Sequence, residues 1–161
     1  MTAGSPQDSL IRRRLAEELG DLRRFFSLLE AERDVLTRGE ADKLPPLVEQ
    51  KSTLATRLSA LLAEREQALA NAGFPAGREG TEAWLSKLPP ADPAREQWAQ
   101  LLALAEEARR QQETNGKLIA IQLQNTQQAL AALMSASGRP LTYGPDGQQR
   151  VGGGGRRLGS A

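Results

Sequence analysis

The chain has neither cysteine nor histidine among its 161 residues. Without cysteine it can form no disulfide, no thiolate nucleophile and no cysteine-based metal site, and without histidine it lacks the commonest metal ligand and general base. A carboxylate-bridged metal bundle is the enzyme alternative, but such sites normally draw on Glu-x-x-His pairs. We therefore expect a protein without enzymatic activity, metal or other cofactor.

Aromatic residues are few, and long apolar runs and a marked excess of one charge are missing. Only 4% of the residues are aromatic against 39% hydrophobic in total, so leucine and alanine must build the core, which is typical of helical bundles. The 21 basic and 20 acidic residues are interleaved, which argues against nucleic acid as a partner. The start MTAGSPQD has no signal-peptide pattern, and no apolar run reaches the roughly 18 residues of a membrane span. We expect a cytoplasmic protein without membrane insertion.

Two long helices are predicted in the first half of the chain. Ser5 and Pro6 predict the start of the first helix and Gly39 its end, while Asp42 is the predicted cap of the second, which tolerates Pro45 and Pro46 in its first turn. The short connection makes the two helices antiparallel neighbours. Their predicted contact residues are Leu15, Leu19, Leu22, Phe26, Leu29, Arg33 and Leu36, and then Leu47, Lys51, Leu54, Leu58, Leu61, Arg65 and Ala68. Within this set, Lys51 and Arg65 either extend toward the ends of the interface or fix its register.

The segment 73–92 is rich in glycine and proline and predicts a crossover with one short helix from about Glu82 to Leu88, held to the bundle by Trp84 and Leu85. Asp92 and Pro93 then predict the start of a long helix that ends at Ser137. In its middle, the polar QQETNGK around Gly116 indicates a bend, a close approach of another backbone, or an exposed polar turn.

The last part of the long helix, residues 118–137, contains no charged residue. Its large apolar residues cover an arc of roughly 220°, whereas a surface helix with one neighbour needs about 100°. The arc consists of Leu118, Ile119, Ile121, Leu123, Leu130, Leu133 and Met134. Either the helix is central and touched on two sides by its own chain, or part of the arc is free for a partner helix.

The residues after the long helix predict a flexible tail. We assign residues 5–137 to the helical bundle and 138–161 to the tail, where four consecutive glycines and few apolar residues cannot offset chain entropy. Within the tail, LTY, GPDG and QQRV have turn chemistry between strand-tolerant residues, which indicates a small hairpin or a strand added to a partner. The glycine run lacks the GK[ST] of a phosphate loop.

The order and spacing of several segments resemble those of a known family. LLEAERDVLTRGEADKLPPLVEQKSTLATRLSAL, then NGKLIAIQLQNTQQALAAL and finally LTYGPDGQ resemble the FlgN family of flagellar type III export chaperones. The GGGGRRLGSA extension has no counterpart in this resemblance. The resemblance implies an all-helical cytoplasmic chaperone without enzymatic activity, which holds the hook and filament junction proteins FlgK and FlgL by their C-terminal helices and delivers them to the export gate.

The resemblance and the uncharged arc together suggest site residues. The predicted client contacts are Ile119, Leu123, Gln127, Leu130, Leu133 and Met134, with Gln124 and Gln128 as further hydrogen-bonding groups. Tyr143 is the predicted contact with the export gate, because its ring combines apolar area with one polar atom. We expect a monomer or a weak homodimer. The alternative is a self-associating structural bundle in which the same arc serves a homodimer and no client exists.

Overall fold

The computed structural model of the chain describes residues 4–136, 141–143 and 149–151. Its elements are α1 (Pro6–Arg38), a 3₁₀ turn (Ala41–Lys43), α2 (Leu44–Asn71), α3 (Arg78–Ser86), α4 (Pro93–Ala136), β1 (Leu141–Tyr143) and β2 (Gln149–Val151). The predicted all-α architecture of three long helices and a short crossover helix is confirmed. Two compact units divide the chain between Leu118 and Ile119, inside α4. The predicted division between bundle and tail at residue 137 lies outside the described residues and stays a prediction.

The ends of α1 and the start of α4 follow the local sequence. The Ser5 side chain accepts a hydrogen bond from the Asp8 N–H at 3.1 Å, and Gly39 ends α1 with a left-handed φ of 71°. The Asp92 side chain accepts from the Ala94 N–H at 2.9 Å and so caps α4. These predictions are confirmed, because each depends only on residues within one turn of the helix end.

The predicted cap of α2 is wrong. Asp42 lies inside the 3₁₀ turn, and α2 begins at Leu44 without a side-chain cap. The Lys43 N–H bonds to the Glu40 carbonyl at 3.0 Å, so the backbone itself leads the chain into the helix. The two prolines stand in the first turn of α2, as predicted.

The predicted range of the short helix, Glu82 to Leu88, is also wrong, since α3 runs from Arg78 to Ser86. Gly77 precedes α3 with φ 78°, a conformation that favours glycine, and Gly80 lies inside it. A Cβ on Gly80 would stand 1.8 Å from the Pro75 carbonyl oxygen, so glycine permits close packing within a helix here. Both glycines belong to the segment 73–92, whose composition predicts a crossover.

Residues up to Leu118 form a bundle of α1, α2 and α4 with α3 packed on it. Ion pairs of Glu18 with Arg65 and of Glu32 with Lys51 show that α1 and α2 are antiparallel. Lys51 donates to Gln112, and Arg65 lies over the ring of Trp98, so α4 is antiparallel to α2 as well. The core consists of Ile11, Leu15, Leu19, Leu22, Leu29, Ala68, Leu69, Trp84, Leu85, Ala94, Trp98, Leu101 and Ala108. The predicted packing of Trp84 and Leu85 against the bundle is confirmed.

The prediction that Arg33 of α1 contacts α2 is wrong. Arg33 is exposed, and the neighbouring Glu32 is buried instead, with 1% of its surface accessible. Glu32 accepts hydrogen bonds from Lys51 at 3.1 Å and from the side-chain amide of Asn115 at 2.9 Å. Asn115, which also donates to the Leu29 carbonyl, is fully buried. A carboxylate can occupy this position because two other helices supply its partners.

Arg65 does not extend to the edge of the interface. Its side chain is buried and donates to both carboxylate oxygens of Glu18, at 2.6 and 3.2 Å, and to the Thr81 hydroxyl. Its guanidinium carbon lies 5.1 Å from the centre of the Trp98 ring. Burial raises the pKa of Glu18, and the hydrogen bond from Arg65 opposes this rise. The interpretation that Arg65 extends toward the end of the interface is therefore wrong. It is also wrong for Lys51, which forms an ion pair with Glu32.

A third polar contact ties the first turns of α1 and α4 to α3. Arg12 donates to both oxygens of Asp92, at 2.8 and 2.9 Å, and to Asp8 at 2.8 Å. The indole N–H of Trp84 donates to Asp8 at 2.9 Å. The hydrogen bond from Arg12, followed by that from the Ala94 N–H, lowers the pKa of Asp92. Asp92 therefore caps α4 and anchors it to α1 with the same carboxylate.

Replacing Arg65 with methionine tests the buried ion pair. Arg65→Met keeps an apolar stem but leaves the Glu18 carboxylate buried without its counter-charge. We expect the free energy of unfolding at neutral pH, measured by urea titration of the helical circular dichroism, to fall by about 3–5 kcal/mol. The control Arg109→Met removes exposed ion pairs with Glu106 and Glu113 and should leave stability nearly unchanged. Equal losses in the two variants would contradict this prediction.

The loss in the free energy of unfolding caused by Arg65→Met should depend on pH. A carboxyl whose folded pKa is raised contributes stability that is present below its unfolded pKa and is lost as the pH rises through the folded value. Without Arg65 nothing opposes the effect of burial on Glu18, so its pKa rises further. We expect the stability difference between wild type and Arg65→Met to shrink as the pH falls from about 7 toward about 4.5. Urea titrations across this range measure it, and a constant difference would contradict the assignment to Glu18.

Candidate functional site

The second half of α4 is helical and uncharged. The helix continues from Pro93 to Ala136 without a proline after its first residue, and alanine, leucine and glutamine, which favour helix, dominate its last turns. Gly116 is exposed, and no atom of another element lies within 4 Å of where its Cβ would be, so the predicted close approach of another backbone is wrong among the described residues. The interpretation of QQETNGK as an exposed polar turn holds for residues 112–114, 116 and 117, which are exposed, and is wrong for Asn115, which is buried.

The large apolar residues of this segment are accessible to solvent. The exposed fraction is 42% for Ile119, 53% for Ile121, 57% for Leu123, 43% for Leu130 and 67% for Leu133. Leu118, Gln127 and Met134 are partly buried. The two explanations offered by the sequence, a central helix touched on two sides by its own chain and an arc that is partly free for a partner helix, stay predictions.

Helical geometry brings the predicted client contacts onto one side of α4. At about 100° per residue, one sector about 100° wide contains a line of residues that we call the α4 stripe. The stripe consists of Ile119, Leu123, Thr126, Leu130, Leu133 and Met134. Gln127 borders it, whereas Ile121 and Gln128 lie on the opposite side of the helix, so the predicted hydrogen bonding of Gln128 to a client does not fit this geometry. The stripe thus contains every predicted apolar contact, and it adds Thr126, which the sequence analysis missed.

The spacing of the stripe is that of a helix-pairing surface. From Ile119 to Leu133 its members follow one another at intervals of four, three, four and three residues. This alternation keeps a row of side chains facing a neighbouring helix over several turns. Thr126 fits the row because its hydroxyl donates to the Gln122 carbonyl at 2.9 Å, which leaves its methyl group as the outward apolar part.

The electrostatics of the stripe are simple. No ionisable residue occurs between Leu118 and Ala136, so protonation of this segment cannot alter binding in the physiological range. Lys117, which is exposed, is the charged residue next to its N-terminal end. None of the described helices combines the length and apolar character that crossing a membrane requires.

Tyr143, the predicted export-gate contact, lies in a two-stranded ribbon. β1 pairs with β2 in antiparallel register, with Leu141 opposite Val151 and Tyr143 opposite Gln149. Of the two predicted possibilities for this segment, the hairpin is confirmed. The GPDG turn and the GGGGRRLGSA extension lie outside the described residues, and the role of the Tyr143 side chain stays a prediction.

The bundle also has a groove that no sequence pattern predicted. It lies between α1 and α2, has a volume of about 590 Å³ and a lining dominated by apolar surface from side chains such as Leu28 and Leu54. Arg24 and Glu49 contribute opposite charges to its lining. Such a groove results from the packing of two helices, and nothing in its chemistry points to a particular ligand.

Comparison with known proteins finds a family model that matches most of the chain. The family model described as FlgN protein matches residues 8–150, from the first turn of α1 into β2. No curated protein and no solved structure gives a significant match. The match covers well over half of the chain and includes the complete α4 stripe. The chain therefore belongs to the FlgN family of flagellar export chaperones.

Proposed function

We propose that this protein binds the C-terminal helices of the junction proteins FlgK and FlgL in the cytoplasm through the α4 stripe. Membership of the family supports a role in flagellar export. The observation that carries the proposal is the exposure of Ile119, Leu123, Leu130 and Leu133 along one side of a helix. Such a row of exposed apolar residues marks an interaction surface on a protein that is otherwise rich in charge.

A helical client is the partner that this surface fits best. An amphipathic helix binds another protein through apolar residues repeated at intervals of three and four, which is the spacing of the stripe itself. Full burial of an exposed large aliphatic side chain contributes roughly 1.5–3 kcal/mol, so covering this row would favour binding and offset part of the cost of association. A client held in this way would have its own apolar surface covered and would be kept from self-association.

Self-association is the competing use of the same surface. A second copy also offers an α4 stripe, and two identical helices with this spacing can pair. The two possibilities differ in what binding requires. A client complex forms between a monomeric chaperone and the client fragment, whereas a homodimer forms without any client and competes with it.

Replacing two stripe residues with aspartate tests the client site. Leu123→Asp combined with Leu130→Asp places two charges where the client's apolar face would lie, so we expect binding of C-terminal FlgK and FlgL fragments to fall at least about a hundredfold. Isothermal titration calorimetry measures the affinity, and size-exclusion chromatography gives the stoichiometry. Circular dichroism must show unchanged helicity.

The matched control for this variant is Ile121→Asp combined with Gln128→Asp. It introduces the same two charges into the same turns of α4, but on the side opposite to the stripe. We expect it to retain client binding. A folded Leu123 and Leu130 double variant that binds as well as wild type would reject the stripe. A tight homodimer that does not bind the client fragments would favour the alternative of a self-associating structural bundle.

We further propose that the tail delivers the client by docking Tyr143 on the export gate. The support is indirect: the family match extends to residue 150, and the ribbon gives this segment a defined backbone. An aromatic residue that combines apolar area with one polar atom is suited to anchoring a short segment on a partner.

Two truncations separate delivery from binding. Deleting residues 140–161 should leave helicity and client affinity unchanged but reduce client export in a chaperone-deficient strain, because the proposed gate contact is lost. Deleting only 152–161, which lies beyond the family match, should leave export intact. Tyr143→Ala should reproduce the longer truncation. Unfolding by the longer truncation, or normal export without it, would reject this role for the tail.

A further inference from the structure

The two parts of α4 differ in how they treat charge. Up to Leu118, the helix packs beside buried ionised groups, among them Glu32, whose carboxylate is matched by Lys51 and by the amide of Asn115. Between Leu118 and Ala136, α4 contains no charged residue. The polar residues that border the stripe are instead amides, such as Gln127, which can both donate and accept hydrogen bonds but cannot neutralise a charge.

A client helix that covers the stripe would remove this border from water. A charged side chain of the client placed beside Gln127 would lose its hydration and find no opposite charge on α4. Such an uncompensated buried charge is strongly unfavourable, whereas an amide or hydroxyl at the same place can hydrogen-bond with the glutamine. The stripe therefore discriminates against a client helix that has charged residues beside its own apolar row, even though the stripe itself has no charge.

We infer that the client segment is an amphipathic helix whose residues beside the apolar row are uncharged over about four turns. This inference rests on the proposed function and specifies its substrate class. The length follows from the stripe, since residues 119–134 extend over roughly 24 Å at 1.5 Å per residue. Charges on the client are accommodated on its far side or beyond the ends of the stripe, where water remains. Binding is accordingly almost independent of salt.

Three synthetic helical peptides with the same leucine and isoleucine row test this inference on the full-length chain. Their residues beside the row are all glutamine and serine, all glutamate, or all lysine, and fluorescence anisotropy gives the affinity at low and high NaCl. We expect the uncharged peptide to bind with an affinity that changes less than about twofold with salt. Both charged peptides should bind at least about tenfold more weakly.

A single substitution on the chaperone provides the reciprocal test. Gln127→Glu should weaken binding of the uncharged peptide and improve binding of the lysine peptide, because the new carboxylate supplies the missing counter-charge. The control Gln128→Glu makes the same change one residue away, on the opposite side of α4, and should alter neither affinity.

Several results would overturn the inference. Equal binding of the three peptides, or tighter binding of a charged one to the wild-type chain, would show that the stripe does not select against charge. Failure of all three peptides, while FlgK or FlgL fragments bind in a manner that depends on Leu123 and Leu130, would show that an uncharged row is not what the client offers. In each case the client site stands and only its charge preference falls. A stripe-dependent homodimer that the uncharged peptide cannot displace would instead reject the proposed function together with this inference.

Discussion

The ion pair between Arg65 and Glu18 is the contact on which the arrangement of the helices depends. Arg65 belongs to α2, and its guanidinium meets Glu18 of α1, the Thr81 hydroxyl of α3 and the ring of Trp98 of α4. A slip of any of these helices would leave a buried charge without its partner, which is far more costly than exchanging one aliphatic contact for another. The pair therefore disfavours other registers of a core built largely from leucine and alanine, residues that specify register poorly by themselves.

The absence of such pairs in the second half of α4 gives that segment a different character. A surface without charge selects a partner by the spacing of its apolar residues and by what it cannot accept, rather than by matched ion pairs. Helices that differ in sequence can satisfy these conditions equally well. This property suits the proposed binding of two different junction proteins, whereas the contacts of Arg65 and Glu32 within the bundle require specific partner side chains.

The parts of the fold that could be predicted from the sequence are those determined within a few residues. Ser5, Gly39 and Asp92 end or begin helices through contacts within one turn, and the number and order of the long helices follow from such signals. The failures occur where a distant residue decides. Glu32 displaces Arg33 from the interface because Lys51 and Asn115 reach it from two other helices. Gly80 lies inside α3, where the lack of a side chain allows the Pro75 carbonyl to approach.

The candidate site likewise has features that the local sequence predicts and features that only the folded chain defines. Composition and spacing alone showed that the end of α4 has more apolar surface than one neighbour can cover, but the exposed fractions of Leu123 and Leu133 are known only from the folded chain. Thr126 was missed because its side chain counts as polar until its hydroxyl is seen to bond to the Gln122 carbonyl of its own helix. The bond changes what the residue presents to a partner, so a row that looks interrupted in the sequence is continuous on the folded helix. Polarity at an interface is thus a property of the side chain together with its hydrogen bonds, and only the folded chain defines both.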